Sequence, residues 1–169
     1  VTGVQTCALP ISPLQLAEYC AAVANNGERH SASILKSIRN YDYSEKVYER
    51  QDDVLSTVES PQYNWDAIHE GMKEVINSPL NETNYLNFYD CAVTVAGKTG
   101  TAQKGEGIKN DGLFICYAPY EDPEIAVAVV VERGHAGASV GFIARQIVDV
   151  YLNIRSYSNT SESEMSLLK

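Results

Sequence analysis

Between residues 92 and 132 three strand-forming runs follow one another with only turns between them. The first is Ala92 to Gln103, the second Gly112 to Ala118 and the third Glu124 to Glu132. The connections, 104–111 around GEGIKN and 119–123 as PYEDP, are too short for the crossover that a parallel pair needs. The three runs are therefore expected to be consecutive neighbours in an antiparallel sheet. Pro119 and Pro123 bar further ladder bonds at the second turn. The third run, EIAVAVVVE, is apolar on both faces, which predicts a central strand covered on both sides.

Helical signals surround this block. Ser12 is a good N-cap, Pro13 suits the first helical position and Gln15 completes a capping box. Leu16, Tyr19, Cys20 and Val23 make one apolar stripe, and Gly27 is placed to close the helix from C′. Ser60-Pro61 starts a second helix by the same N-cap logic. Its expected face is Trp65, Ile68, Met72, Val75 and Ile76, with an end near Ser78-Pro79. A last helix, Ser139 to about Ile154, carries Val140, Ile143, Ala144, Ile147, Val148 and Tyr151 on one stripe and is expected to cover one face of the sheet. Ile147 and Tyr151 facing inward is a condition of that reading. ASILKSIRN, with Ile34 and Ile38, reads as a strand, and 40–58 as an irregular excursion with some strand character. Residues 79–90 read as a loop with at most a helical turn, and the polar tail 156–169 as disordered. The fold class is α+β, an antiparallel sheet covered by helices.

The 44% hydrophobic content of the 169 residues can supply a sizeable core. A formal charge of −9 without a basic stripe argues against nucleic acid and against an anionic membrane surface as partners. No apolar run of spanning length and no signal-peptide pattern occurs. Cys7, Cys20, Cys91 and Cys116 form no CxxC and have no histidine cluster nearby, so neither a metal site nor a cofactor is expected. Cys20 and Cys116 lie in apolar patterns and read as buried, unpaired thiols. His69 is expected to be half-exposed in its helix, and His30 to suit a helix C-terminus.

The stretch VAGKTGTAQ, 95–103, carries the most chemistry. Gly97-Lys98-Thr99 could end a P-loop, but the position that should hold its first glycine is Ala92, and the residues between are strand formers. As an extended strand, Lys98 points to one face and Thr99 and Thr101 to the other. Gly100 leaves one side open to another backbone. A ligand lying along the strand edge could meet groups from both faces, its carboxylate held by the hydroxyls and the ammonium.

Taken together, SPLQLAEYCAAVANNG, VAGKTGTAQ, GLFICYAPYEDPEIAVAVVVE and the closing helix resemble the C-terminal part of class B penicillin-binding proteins, the peptidoglycan D,D-transpeptidases. The resemblance covers residues 12 to about 155, with 40–58 and 79–90 unmatched in detail. It implies a partial transpeptidase fold of the penicillin-binding protein and serine β-lactamase type. It implies a groove lined by the K-T-G strand, in which Lys98, Thr99, Gly100 and Thr101 hold the carboxylate of an acyl-D-Ala-D-Ala stem peptide or of a β-lactam. Lys98 is the catalytic candidate among them. His135, between the last strand and the last helix, lies in a loop that is near the groove in that family. Cell-wall synthesis proteins are further possible partners, and the extracytoplasmic face of the bacterial membrane is the implied location.

The family also needs a nucleophilic serine in S-x-x-K and a second motif, S-x-N. Ser33-Ile-Leu-Lys36 is the S-x-x-K here, but on a strand its two side chains would point to opposite faces. No S-x-N occurs, and Tyr85-Leu-Asn87 and Tyr151-Leu-Asn153 only imitate a Y-x-N variant. Tyr151 is explained there as a core residue. The nucleophile, its lysine, S-x-N and any anchor are accordingly expected before residue 1, leaving this chain inactive alone. Residues 1–11, VTGVQTCALPI, resemble a translated adapter and are expected to be a non-native leader to the transpeptidase segment 12–155. The alternative is a non-catalytic module of the same fold, such as a β-lactam sensor domain.

Overall fold

The structure is a computed structural model and describes residues 11–103 and 107–152. Its elements in chain order are α1 (Pro13–Ala24), β1 (Glu28–His30), β2 (Ser37–Arg39), β3 (Lys46–Glu49), β4 (Val54–Thr57), α2 (Gln62–Asn77), α3 (Glu82–Phe88), β5 (Ala96–Ala102), β6 (Asp111–Ala118), β7 (Ile125–Val131), a 3-10 turn (Gly137–Val140) and α4 (Gly141–Tyr151).

The central sheet has the order β5-β6-β7, antiparallel throughout. Its registers pair Lys98 with Ile115 and Thr101 with Gly112 on one side, and Leu113 with Val130 on the other. The antiparallel neighbours are as expected, but the middle strand is β6. Its residues are buried except for Leu113 and Ile115, which are half-buried, whereas Val130 of β7 is 38% exposed. Apolar residues on both faces of β7 therefore do not make it central among the described residues. β5 also starts four residues later than expected, because the chain bends at 92–93 and Thr94 O accepts from Tyr120 N–H at 2.8 Å outside the ladder.

Helices cover the sheet on both faces. On one, Cys20 and Val23 of α1 and Met72 of α2 pack against Ala96, Tyr117 and Ala126. On the other, Phe88 of α3 and Val140, Ala144 and Val148 pack against Phe114, Cys116 and Val127. Phe88 and Phe114 stack there with ring centroids 5.8 Å apart. Burial of these side chains is the main stabilising term, about 1.5–3 kcal/mol for each large one.

Helix ends follow local chemistry, with two departures. Ser12 and Gln15 form the capping box in both directions, at 3.2 and 2.8 Å. At the other end Gly27 N–H donates to Ala22 O at 2.7 Å and Asn26 N–H to Val23 O at 3.1 Å, a Schellman pattern. C′ is thus Asn26, with φ 52°, and Gly27, with φ 96°, is one residue further on. Ser60 does not cap α2. Pro61 is the N-cap, and Ser60 Oγ instead accepts from Asn64 Nδ2 at 2.9 Å. Residues 82–88, read as loop, make two full turns of helix, anchored where Asn84 Nδ2 donates to Val75 O at 3.1 Å.

The apolar stripes are partly displaced. Tyr19 is 59% exposed and Ile68 44%, while Cys20, Met72 and Ile76 are buried as expected. α4 departs most. Ile147 and Tyr151 are 41% and 50% exposed, so the inward orientation required of them does not hold. The buried face is Gly141, Ala144, Arg145, Val148 and Asp149. An ion pair, Arg145 Nε to Asp149 Oδ1 at 2.7 Å, occupies the space next to α3 that the stripe assigned to aliphatic side chains. Tyr151 is accordingly no core residue.

The strand expected around Ile34 shrinks to β2, with Ile34 fully exposed. The excursion 40–58 makes two ribbons, β2 with β3 and β1 with β4. Residues 1–10 and 153–169 lie outside the described residues, and with them Cys7, Asn153, the end of the expected last helix, most of the proposed leader and the expected disordered tail.

Candidate active-site strand

Gly97-Lys98-Thr99 is fully extended and paired with Cys116, Ile115 and Phe114, so no phosphate-wrapping loop exists there. Gly97 has a packing reason. A Cβ on it would come within 2.6 Å of Ile115 O and 3.2 Å of Ile76 Cδ1, so its absence lets α2 seat on the strand.

β5 is an edge strand among the described residues, paired only with β6. Lys98 and Gly100 share the face on which α1 and α2 pack, where their cluster extends to Ile115, the register partner of Lys98. Lys98 itself is exposed, and a Cβ at Gly100 would meet only Leu113, 3.3 Å away. The open side that Gly100 was expected to leave is therefore beside Lys98. Lys98 Nζ donates to the carbonyl of its neighbour Thr99 at 2.8 Å. That holds the ammonium close to the backbone of β5, ready to exchange the carbonyl for a stronger, charged acceptor.

Thr99 and Thr101 alternate onto the opposite face. Thr101 is exposed, and its Oγ accepts from Gly137 N–H at 3.3 Å. The loop after β7 thus reaches β5 through Gly137, two residues beyond His135. His135 itself is exposed with φ 67°, and its N–H donates to Asn110 O at 3.0 Å. The four residues Lys98 to Thr101 form one short edge able to offer an ammonium and two hydroxyls to a carboxylate.

The other candidates are placed elsewhere. Ser33 Oγ accepts from Leu35 N–H at 3.0 Å in a tight turn that leads to β2, and is not on a strand. Ser33 and Lys36 line a surface hollow with Glu49, Arg50 and Asp52, and no β5 residue borders it. Asn87 of the Tyr85-Leu-Asn87 imitation donates through Nδ2 to Ala138 O at 3.4 Å, and its carbonyl accepts from Arg145 Nη1 at 3.1 Å. It braces the turn before α4. His69 is half-buried, with Nε2 2.8 Å from Val23 O. His30 sits in β1 with Nδ1 3.0 Å from Asp52 Oδ1, so a carboxylate faces it rather than a helix end. A wide groove of about 970 Å3 runs between α1 and β1, but no β5 residue lines it.

Cys20 and Cys116 are free and fully buried, as expected. Burial pushes the Cys20 thiol up to about 12 and raises that of Cys116 well above its ordinary value. Both are poor nucleophiles at neutral pH. Among the described residues no group of three or more His, Cys, Asp or Glu is placed to hold a metal, and no helix is long and apolar enough to cross a membrane.

Sequence reasoning missed two groups. Arg145 and Asp149 were hidden because their i,i+4 spacing reads as a solvated ion pair. Gly137 was passed over, although the small residues Gly134, Ala136, Gly137 and Ala138 between a strand and a helix signal a close backbone approach.

Residues 2–149 match the family model described as penicillin binding protein transpeptidase domain, a span that includes residues 2–11. The chain is 33% identical over 162 residues to peptidoglycan D,D-transpeptidase MrdA of Haemophilus influenzae, covering 85% of this chain and 24% of that protein. It is 32% identical over 153 residues to penicillin-binding protein 2B of Streptococcus pneumoniae, covering 83% of this chain and 22% of that protein. Among solved structures, penicillin-binding protein 2B from Streptococcus pneumoniae strain R6 superposes with a TM-score of 0.72 at 27% identity, over 89% of this chain and 25% of that one. The imipenem acyl-enzyme complex of penicillin-binding protein A from Mycobacterium tuberculosis superposes with a TM-score of 0.71 at 27% identity, over 84% of this chain and 31% of that one. The chain spans about a quarter of the length of the curated relatives it matches. With its antiparallel sheet, helices on both faces and an edge strand bearing Lys98-Thr99-Gly100, the chain belongs to the penicillin-binding protein transpeptidase domain family.

Proposed function

We propose that this chain is the C-terminal part of the transpeptidase domain of a peptidoglycan D,D-transpeptidase. In the whole enzyme a serine attacks the penultimate D-Ala carbonyl of a stem peptide. The terminal D-Ala leaves as its free amine, and a neighbouring strand's amine then takes the acyl group. β5 holds the donor's terminal carboxylate through Lys98, Thr99 and Thr101, and β-lactams enter the same place. The nucleophile, its base and S-x-N come from the rest of the domain, which packs beside the exposed Lys98. The whole enzyme works at the extracytoplasmic face of the membrane. The observation that carries this reading is the edge strand itself, with Lys98 exposed on one face and Thr101 exposed on the other.

Acylation needs an activated oxygen about 3 Å from the carbonyl, and Ser33 is held in a turn away from β5. Residues 1–169 alone are therefore expected to form no covalent adduct with fluorescent penicillin, read by denaturing gel and intact mass. The full-length protein that carries this segment is expected to form one. Lys98→Ala there should slow acylation about tenfold to a hundredfold, the loss expected for one hydrogen bond to a charged group. An adduct mapped to Ser33 in the 169-residue chain would sink the reading. A full-length protein that binds penicillin without acylation would favour the sensor alternative.

A further inference from the structure

Gly137 opens the 3-10 turn before α4 and lies flat against the β5–β6 pair. There is no room for a side chain: a Cβ on Gly137 would be 2.4 Å from the carbonyl oxygens of Gly100 and Leu113 and 2.6 Å from Gly100 N. Real Cβ atoms do not come so close to backbone, so only glycine fits. From this seat the Gly137 N–H reaches Thr101 Oγ at 3.3 Å. The approach is held from three directions. His135 N–H donates to Asn110 O at 3.0 Å, Arg133 N–H to Asp111 Oδ1 at 2.8 Å and Asn87 Nδ2 to Ala138 O at 3.4 Å. Gly112, opposite Thr101 in the register, has no side chain either, and a Cβ there would be 3.0 Å from Ala136 O.

A threonine hydroxyl has one proton to give and two lone pairs. When a lone pair is taken by a backbone N–H, the side chain is held in one rotamer and its proton remains to be donated. We propose that Gly137 is a positioning residue for Thr101: its N–H fixes the Thr101 hydroxyl so that the proton points to the edge of β5, where a ligand carboxylate is received. The inference rests on the reading of β5 as the carboxylate-binding strand and adds to it a residue outside the K-T-G motif. Preorganisation of this kind spares the ligand the cost of ordering the donor on arrival.

The test is a double-mutant cycle on penicillin acylation by the full-length protein. Thr101→Val is expected to slow acylation about tenfold to a hundredfold, by loss of one hydrogen bond to a charged group. Gly137→Ala should slow it to a similar degree. If Gly137 acts through Thr101, adding Gly137→Ala to Thr101→Val should change the rate by no more than about twofold. Multiplying losses would overturn the proposal, since a general structural role gives independent effects. Hydrogen exchange at the Gly137 amide covers the case in which Gly137→Ala does not fold. Thr101→Val should speed that exchange, and Thr101→Ser, which keeps the oxygen, should leave it near the parent value. Unchanged exchange in Thr101→Val would overturn the proposal without touching the role of β5. A parent protein that is never acylated would overturn the β5 reading, and the role of Gly137 with it.

Discussion

At the scale of single residues, burial decides chemistry more than identity does. Cys20 has no exposed surface, and its thiol is pushed from 9.0 to about 12 by desolvation. An unfolded chain loses that proton above about pH 9, whereas the folded chain keeps it until about pH 12. Between these values the unfolded state binds fewer protons, so stability falls as pH rises. The stabilising contribution is complete below pH 9 and is lost on the way to pH 12. One such thiol contributes a slope of about 1.4 kcal/mol per pH unit. Unfolding free energies from denaturant titrations between pH 9 and 11 should therefore decline less steeply in Cys20→Ala than in the parent, by about that amount. Equal slopes would show that Cys20 is solvated in the folded chain. Cys20 as a buried thiol was legible from its helix stripe. The left-handed Asn26 before Gly27 was not, because asparagine and glycine both accept that conformation and only the hydrogen bonds decide between them.

At the scale of elements, α4 is set by a polar contact rather than by its apolar stripe. Arg145 is nearly buried and bonds Asp149 and Asp90, each at 2.7 Å, together with the carbonyls of Asn87 and Asp90. It ties α4 to α3 and to the turn that leads into β5. Arg145→Ala is expected to cost about 3–5 kcal/mol, because the fully buried Asp149 loses a cation. Replacing both partners, as Arg145→Met with Asp149→Leu, should recover much of that loss. Urea unfolding of the two variants checks this. If the single change costs under 1 kcal/mol or so, the pair is a surface-type bridge and α4 is oriented by something else. Helix existence was legible for α1, α2 and α4, where periodicity runs long. α3 was not, because Asn84 faces inward and breaks the apolar pattern while satisfying a carbonyl of α2.

At the scale of the whole molecule, α4 turns an apolar face to solvent. Phe142, Ile147, Val150 and Tyr151 on it are 41–50% exposed. A contiguous patch above about 300–600 Å2 is unusual for a monomer. The 169-residue chain by itself is expected to bind a hydrophobic dye and to self-associate, measured by fluorescence and light scattering. A dye-silent monomer with one sharp unfolding transition would show that this face needs no further covering.

Alternation, short turns and capping residues are local, so the sequence by itself determined the antiparallel neighbours, the start of α1 and the extended state of Lys98-Thr99-Gly100. Each depends on atoms a few residues apart. The strand order that makes β6 central, the inward turn of Arg145 and Asp149, and the seat of Gly137 against Gly100 are decided by contacts between residues tens of positions apart. No local pattern encodes which of two apolar strands will be flanked, or which polar pair will find partners enough to be buried. Only the tertiary structure sets those distances, and it is those distances that aim Thr101.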